Sequence, residues 1–146
     1  MATLLVVDDD NMIRETLHDF FLSNHDECHT ADRAEQALAF LEFESYDAIL
    51  TDIDMPGLSG RELLHRVKED HPTTPVIVIS GIASVEEAGA LIEMGAFAYF
   101  TKPFKLEEIE AAVNKAVAHH RELSRAHEPE VQNDEPENAP SSNSAE

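Results

Sequence analysis

The chain has 146 residues, 42% hydrophobic and 27% charged, enough for one ordinary domain whose core needs neither disulfides nor a structural metal. Ten Lys and Arg stand against 30 Asp and Glu, a formal charge of -20. Such a chain repels nucleic-acid phosphates and anionic bilayers, so neither nucleic acid nor a membrane is expected as a partner. Cys28 is the single cysteine, which excludes an intrachain disulfide and suits a reducing, cytoplasmic compartment. No apolar run approaches the ~18 residues of a membrane span. The start of the chain is apolar without a basic leader and meets three aspartates at once, so no signal peptide is expected.

In chain order, Leu4 to Val7 is a short continuous apolar run, read as a strand covered on both faces. Asp10 follows as the N-cap of a helix on which Ile13, Leu17, Phe20 and Phe21 share one face. Glu27 to Ala31 is a weaker second strand. Ala34, Leu38 and Leu41 mark the second helix, opened by Asp32 with Glu35 three residues on, the spacing of a capping box. Ala48 to Leu50 is the third strand. Ser59 and Glu62 open a helix carrying Leu63, Leu64 and Val67, with Gly57 and Gly60 as turn residues before it. Val76 to Ile79 is the fourth strand. Ser84 and Glu87 open a helix expected to bury Val85, Ala88, Leu91 and Ile92. Ala98 to Phe100 is the fifth strand, and Ile109, Ala112, Val113, Ala116 and Val117 line a last helix running from Leu106 to about Arg125.

Five strand-helix units in about 125 residues predict an α/β, flavodoxin-like doubly wound fold with a five-stranded parallel sheet of order 2-1-3-4-5. Residues 1–125 form this domain. From Ala126 to Glu146 there are six acids, three prolines and no Lys or Arg. That segment is read as a disordered acidic tail, since it has too little apolar surface to offset its ordering entropy. The first 125 residues keep 24 acids and 10 bases, a charge of -14.

In a doubly wound sheet the ligand crevice lies beyond the carboxyl ends of the strands. Four strands deliver polar residues there: Asp8-Asp9-Asp10, Asp52 with Asp54, Ser80-Gly81, and Thr101-Lys102-Pro103-Phe104. Any one aspartate after a strand is usually a helix cap, and a lone lysine is usually solvated. The joint pattern is less ordinary. With strands 1 and 3 adjacent, Asp8, Asp9 and Asp52 crowd together, and clustered carboxylate oxygens with open water positions suit Mg²⁺. A metal, a lysine and the Ser80 hydroxyl around one carboxylate are the parts needed to move a phosphoryl group onto it.

Residues 3 to about 123 resemble a receiver domain of the two-component response regulators, in the stand-alone form of the chemotaxis regulators. Asp8-Asp9, Thr51-Asp52-Ile53-Asp54-Met55-Pro56-Gly57 with Gly60, Ser80-Gly81 and Lys102-Pro103-Phe104 carry the resemblance. It implies that Asp52 accepts the phosphoryl group. It also implies that Asp9 and Asp52 ligate Mg²⁺ directly, Asp8 partly through water and Asp54 through its backbone carbonyl. Lys102 would pair with Asp52 and then with the phosphoryl oxygen, Ser80 and Tyr99 would form the switch, and Lys102-Pro103 would be a cis peptide. The implied partners are a sensor histidine kinase or phosphotransfer protein, and a downstream protein target, or a second copy of this chain in a homodimer. The target would meet the face of the fourth helix, fifth strand and fifth helix. No enzyme is implied beyond catalysis of its own phosphorylation and dephosphorylation.

Two other readings compete. Ala48 to Asp54 also resembles the Asp-x-Asp opening of a haloacid-dehalogenase-type aspartyl phosphatase. Met55 departs from that pattern, however, and the motif falls on the third strand, not the first. The chain can also be the receiver fragment of a longer transcriptional regulator, for which the long last helix speaks. His25 and His29 straddle a loop and a strand and do not suggest a metal site. His119 and His120 are expected to face solvent, and Met12, Met55 and Met94 to serve in packing.

Overall fold

The computed structural model describes residues 1–81 and 84–127. The expected acidic tail therefore lies, from residue 128 on, outside the described residues. The elements alternate as expected: β1 (Thr3–Val7), α1 (Asn11–Ser23), β2 (Glu27–Ala31), α2 (Ala34–Leu41), β3 (Ala48–Thr51), α3 (Gly60–Asp70), β4 (Val76–Ser80), α4 (Val85–Glu93), β5 (Ala98–Thr101) and α5 (Leu106–His127). All four strand pairings are parallel, and the order is β2-β1-β3-β4-β5.

Burial follows from that order. β3 and β4 are buried at every residue and β1 at all but its first, whereas β2 and β5 at the edges are only partly covered. Strand alternation divides the core into two layers. Leu5, Val7, Ile49, Val76 and Val78 point to the side of α2, α3 and α4. Leu4, Val6, Leu50, Ile77 and Ile79 point to the side of α1 and α5, where they meet Leu17, Phe21, Ile109, Val113 and Val117. A strand that must pack on both faces has no polar side, which is why these runs are continuous in the sequence.

Three of the expected caps form. Asp10 accepts the backbone N–H groups of Met12 and Ile13, Ser59 that of Glu62, and Ser84 that of Glu87. The Asp32–Glu35 capping box does not. Arg33 occupies the N-cap of α2 without a side-chain bond, Asp32 pairs with Arg33 at 3.0 Å, and the Asp32 N–H donates to Gln36 Oε1 at 3.0 Å. Glu35 is thereby released toward another part of the chain.

Other corrections share one cause: a helical period says which residues share a face, not which face is covered. On α4 only Leu91 is buried, while Val85 is 86% and Ile92 47% exposed. Met12 is likewise exposed, whereas Met55 is buried. His119 faces solvent, but His120 turns inward: its Nδ1–H donates to the Thr73 carbonyl at 2.8 Å and its Nε2 lies 3.7 Å from Asp47. Cys28 is buried, and burial together with the charge of Asp26 pushes its thiol pKa up to about 12, so it is inert as a nucleophile. No helix among the described residues is long and apolar enough to cross a membrane.

Gly60 is the tightest point of the framework. A Cβ there would stand 2.0 Å from the Asp52 carbonyl oxygen and 2.8 Å from the Ile53 Cα, and neither backbone atom can yield. Gly60→Ala is expected to destabilise the fold by roughly 1–3 kcal/mol, the usual cost of overpacking. A urea titration that found the variant as stable as the parent would show that the loop has another path.

Candidate functional site

Strand register builds the site. Val7 lies beside Thr51, and the next residue of each strand is an aspartate, so Asp8 and Asp52 leave the sheet side by side. The Asp8 N–H still donates to Ala31 at 3.1 Å and the Asp52 N–H to Val7 at 2.9 Å, which fixes both main chains. Ser80 pairs with Thr101, and the Lys102 N–H donates to the Ser80 carbonyl at 2.8 Å. Lys102 therefore starts from the end of β5 and reaches across β4. Its peptide bond to Pro103 is cis, as the resemblance implied.

The Lys102 Nζ lies 3.0 Å from Oδ2 of Asp8 and 3.0 Å from Oδ2 of Asp52. Asp8 is 3% and Asp52 6% exposed, and Asp9 stands at the solvent edge. Carboxylate oxygens of Asp8, Asp9 and Asp52 lie within 4.8 Å of one another, the one such group among the described residues. The other oxygen of Asp52, Oδ1, accepts the N–H groups of Ile53 at 2.7 Å and Asp54 at 3.3 Å. The Asp54 side chain is exposed and outside the convergent group. Ser80 is buried at the end of β4, and Tyr99 packs on the core beside a shallow hollow lined by Ser84, Val85, Ala88 and Thr101.

Three carboxylates converge where one ammonium pairs with two of them, and burial and charge together shift the protonation equilibria. Burial is the largest influence on Asp8 and raises its pKa; the charge of Asp52 raises it further, and the Asp10 N–H at 2.9 Å and Lys102 oppose the rise without cancelling it. For Lys102, burial favours the neutral amine, but the hydrogen bonds and charges of Asp8 and Asp52 outweigh it and hold the ammonium above its usual pKa. An all-oxygen, negatively overcharged cluster fits a hard divalent cation such as Mg²⁺.

Two contributors are not evident from the sequence. Arg14, on α1, donates from Nη1 to the Asp8 carbonyl at 2.7 Å and from Nη2 to Asn11 at 2.9 Å, bracing the turn that presents Asp8 and Asp9. Its only signal is a position on the polar side of a helix. Glu35, on α2, accepts the Leu58 N–H at 3.1 Å. Its spacing from Asp32 is a signal, but one that points to a capping box instead.

The family model described as the response regulator receiver domain matches residues 4–114. The DNA-binding transcriptional regulator NtrC of Salmonella typhimurium is 36% identical over 126 residues, covering 86% of this chain and 27% of that protein. The chain thus spans about a quarter of the length of this relative. Among solved structures, the Francisella response regulator 1452 receiver domain superposes with a TM-score of 0.77 at 31% identity, covering 81% of this chain and 98% of that one. The beryllofluoride-activated NtrC4 receiver domain dimer gives 0.78 at 29% identity, covering 82% and 99%.

The direction of the Asp8 shift makes a test. A folded-state pKa above the ordinary 3.8 means that Asp8 favours folding only while protonated. That contribution is present below the unfolded value and is lost as pH rises through the folded one. At neutral pH without metal, ionised Asp8 therefore works against the fold. Asp8→Asn keeps an oxygen for the Asp10 N–H and is expected to raise the metal-free melting temperature at pH 7, with a smaller gain at pH 4. A variant less stable than the parent at both values would show that the Lys102 pair outweighs burial.

Proposed function

The chain belongs to the response regulator receiver domain family, and from that premise we propose that it accepts a phosphoryl group on Asp52 and reports it through a protein-binding surface. The observation that carries this is the Lys102 ammonium held 3.0 Å from both Asp8 and Asp52, with Asp9 completing the carboxylate group. The donor is a phosphohistidine of a sensor histidine kinase or phosphotransfer protein. An Asp52 carboxylate oxygen attacks phosphorus, a P–O bond forms, and the P–N bond to the donor imidazole breaks with its electron pair leaving on nitrogen. Asp9 and Asp52, Asp8 partly through water and the Asp54 carbonyl would hold Mg²⁺, which when bound neutralises charge on the equatorial phosphoryl oxygens. Lys102 exchanges its Asp52 contact for a phosphoryl oxygen and so stays charged throughout. The Ser80 hydroxyl donates to another of these oxygens, and Tyr99 repacks beside it.

The output face is that of α4, β5 and α5. Val85 and Ile92 expose apolar surface there, next to the hollow walled by Tyr99, Ala88 and Thr101. The charge of -20 works against DNA as the partner, so the surface suits a protein or a second copy of this chain. We read the chain as no enzyme beyond its own phosphorylation cycle and as cytoplasmic. The phosphatase alternative loses support because the family model that matches residues 4–114 is that of the receiver domain. A second reading, that this is the receiver part of a longer transcriptional regulator, is favoured by the quarter-length coverage of NtrC; any DNA contact would then belong to other parts of that protein.

Acetyl phosphate with Mg²⁺ is expected to add one acid-stable, base-labile phosphoryl group, and Asp52→Asn to abolish it by mass spectrometry; full labelling of that variant would refute the assignment. Mg²⁺ should also raise the melting temperature by linkage, with a smaller rise in Asp9→Asn. Substitution of Val85 and Ile92 by serine should block phosphorylation-dependent capture of the protein partner or dimer while labelling proceeds. Duplex DNA binding by the phosphorylated chain at physiological salt would overturn the output model.

A further inference from the structure

The loop between β3 and α3 carries the Asp54 carbonyl and the two N–H groups that orient Asp52, so whatever holds this loop also shapes the acceptor site. At its base the Gly60 N–H donates to the Ile53 carbonyl at 2.9 Å. Two of its side chains anchor it to the core, Met55 buried and Leu58 partly buried, whereas Asp54, Pro56 and Gly57 are exposed. The far end is caught by a residue distant in sequence. Glu35 Oε2 accepts the Leu58 N–H at 3.1 Å. The same oxygen lies against Gly57, where a Cβ would come within 2.8 Å of it. Gly57 has φ +80°, a conformation that suits glycine, and it lets the chain pass directly under the carboxylate.

We propose that Glu35 is a positioning residue for the acceptor site, clamping the 53–59 loop so that the Asp54 carbonyl and the Ile53 and Asp54 N–H groups stay aligned on Asp52 and its metal. The proposal rests on the reading of Asp52, with Asp9, as the metal-binding acceptor. Three features favour it over a chance surface bond. Glu35 is in the first turn of α2, where the positive end of the helix favours a carboxylate. Hydrogen bonds from its own N–H and from Leu58 hold it ionised, below the usual glutamate range, and a charged acceptor makes the stronger bond. It is also released from capping, because Gln36 and not Glu35 takes the Asp32 N–H. The side chain is exposed, so its removal should leave the core intact and affect the loop alone.

The test uses the full chain, with Mg²⁺ itself as the probe. In the metal-free protein, Glu35→Ala should shift the amide resonances of Leu58, Ile53 and Asp54. Titration of the Asp54 amide should show Mg²⁺ binding weakened about tenfold, the usual scale for loss of an outer-shell partner. Labelling by acetyl phosphate should need correspondingly more Mg²⁺ for half-maximal rate, with the rate at saturating Mg²⁺ little changed. Glu35→Gln keeps an oxygen for Leu58 and should recover most of the affinity. Glu35→Asp keeps the charge but loses the reach, and should behave like the alanine variant; it carries the test if the alanine variant folds poorly. Asp9→Asn separates the two claims. If it weakens Mg²⁺ binding and Glu35→Ala does not, the clamp is wrong and the acceptor reading stands. If neither variant weakens binding, the metal site is elsewhere and both fall.

Discussion

One ammonium shared by two buried carboxylates organises this protein. The Lys102 Nζ stands 3.0 Å from both Asp8 and Asp52, and the fold is what allows it to do so. β5 lies two strands from β3 in the sheet, roughly 10 Å away at ordinary strand spacing. Only a long side chain spans that gap, and it must pass over the end of β4, where Ser80 sits. The strand order itself thereby places the serine at the same carboxyl edge of the sheet as the two aspartates. β1 and β3 are immediate neighbours, so their aspartates need no reach at all. The division of residue types among the strands, short acids on β1 and β3, a small hydroxyl on β4 and a lysine on β5, follows the distances that the strand order imposes.

The same order sets where the molecule is rigid and where it can yield. β1 and β3, which lead into Asp8 and Asp52, and β4, which ends on Ser80, are the buried strands, so the proposed acceptor is mounted on the least deformable part of the core. α4 is the opposite case. Leu91 is its only buried side chain, and its first turn is held from outside the core by the Ser84 cap and by an ion pair between Glu87 and Arg61 of α3. Elements with few buried contacts open or shift at low free energy. A small rearrangement at Ser80 is therefore more easily transmitted to α4 than to any strand.

Much of this is legible in the sequence, and for a physical reason. Strands packed on both faces must be continuously apolar, and the residue that follows such a run stands at the carboxyl edge of the sheet. Asp8, Asp52, Ser80 and Lys102 can thus be read together from the amino-acid sequence alone. What the sequence conceals depends on partners remote along the chain. The spacing of Asp32 and Glu35 is that of a capping box, but Gln36 takes the Asp32 N–H and Glu35 reaches Leu58, 23 residues away. The stripe of Val85, Ala88, Leu91 and Ile92 is a true helical face, yet only part of it meets the sheet. His120 has the pattern of a surface residue, yet the Thr73 carbonyl lies 2.8 Å from its ring, and Arg14 gives no sign of its bond to the Asp8 carbonyl.

The charge imbalance at the site also constrains how its ligands relate to one another. Three carboxylates against one lysine leave the metal-free cluster overcharged, and burial, with a smaller push from the Asp52 charge, raises the Asp8 pKa. On the proposed function, a phosphoryl group would add roughly 1.5–2 further negative charges to a site already short of cations. The Lys102 ammonium cannot offset both, so a divalent cation and the phosphoryl group must favour each other, and by linkage each raises the other's occupancy by the same factor. The burial that makes Asp8 a poor anion by itself would then make the site dependent on a second charge, and on the proposed function that dependence would couple metal, phosphate and fold in one equilibrium.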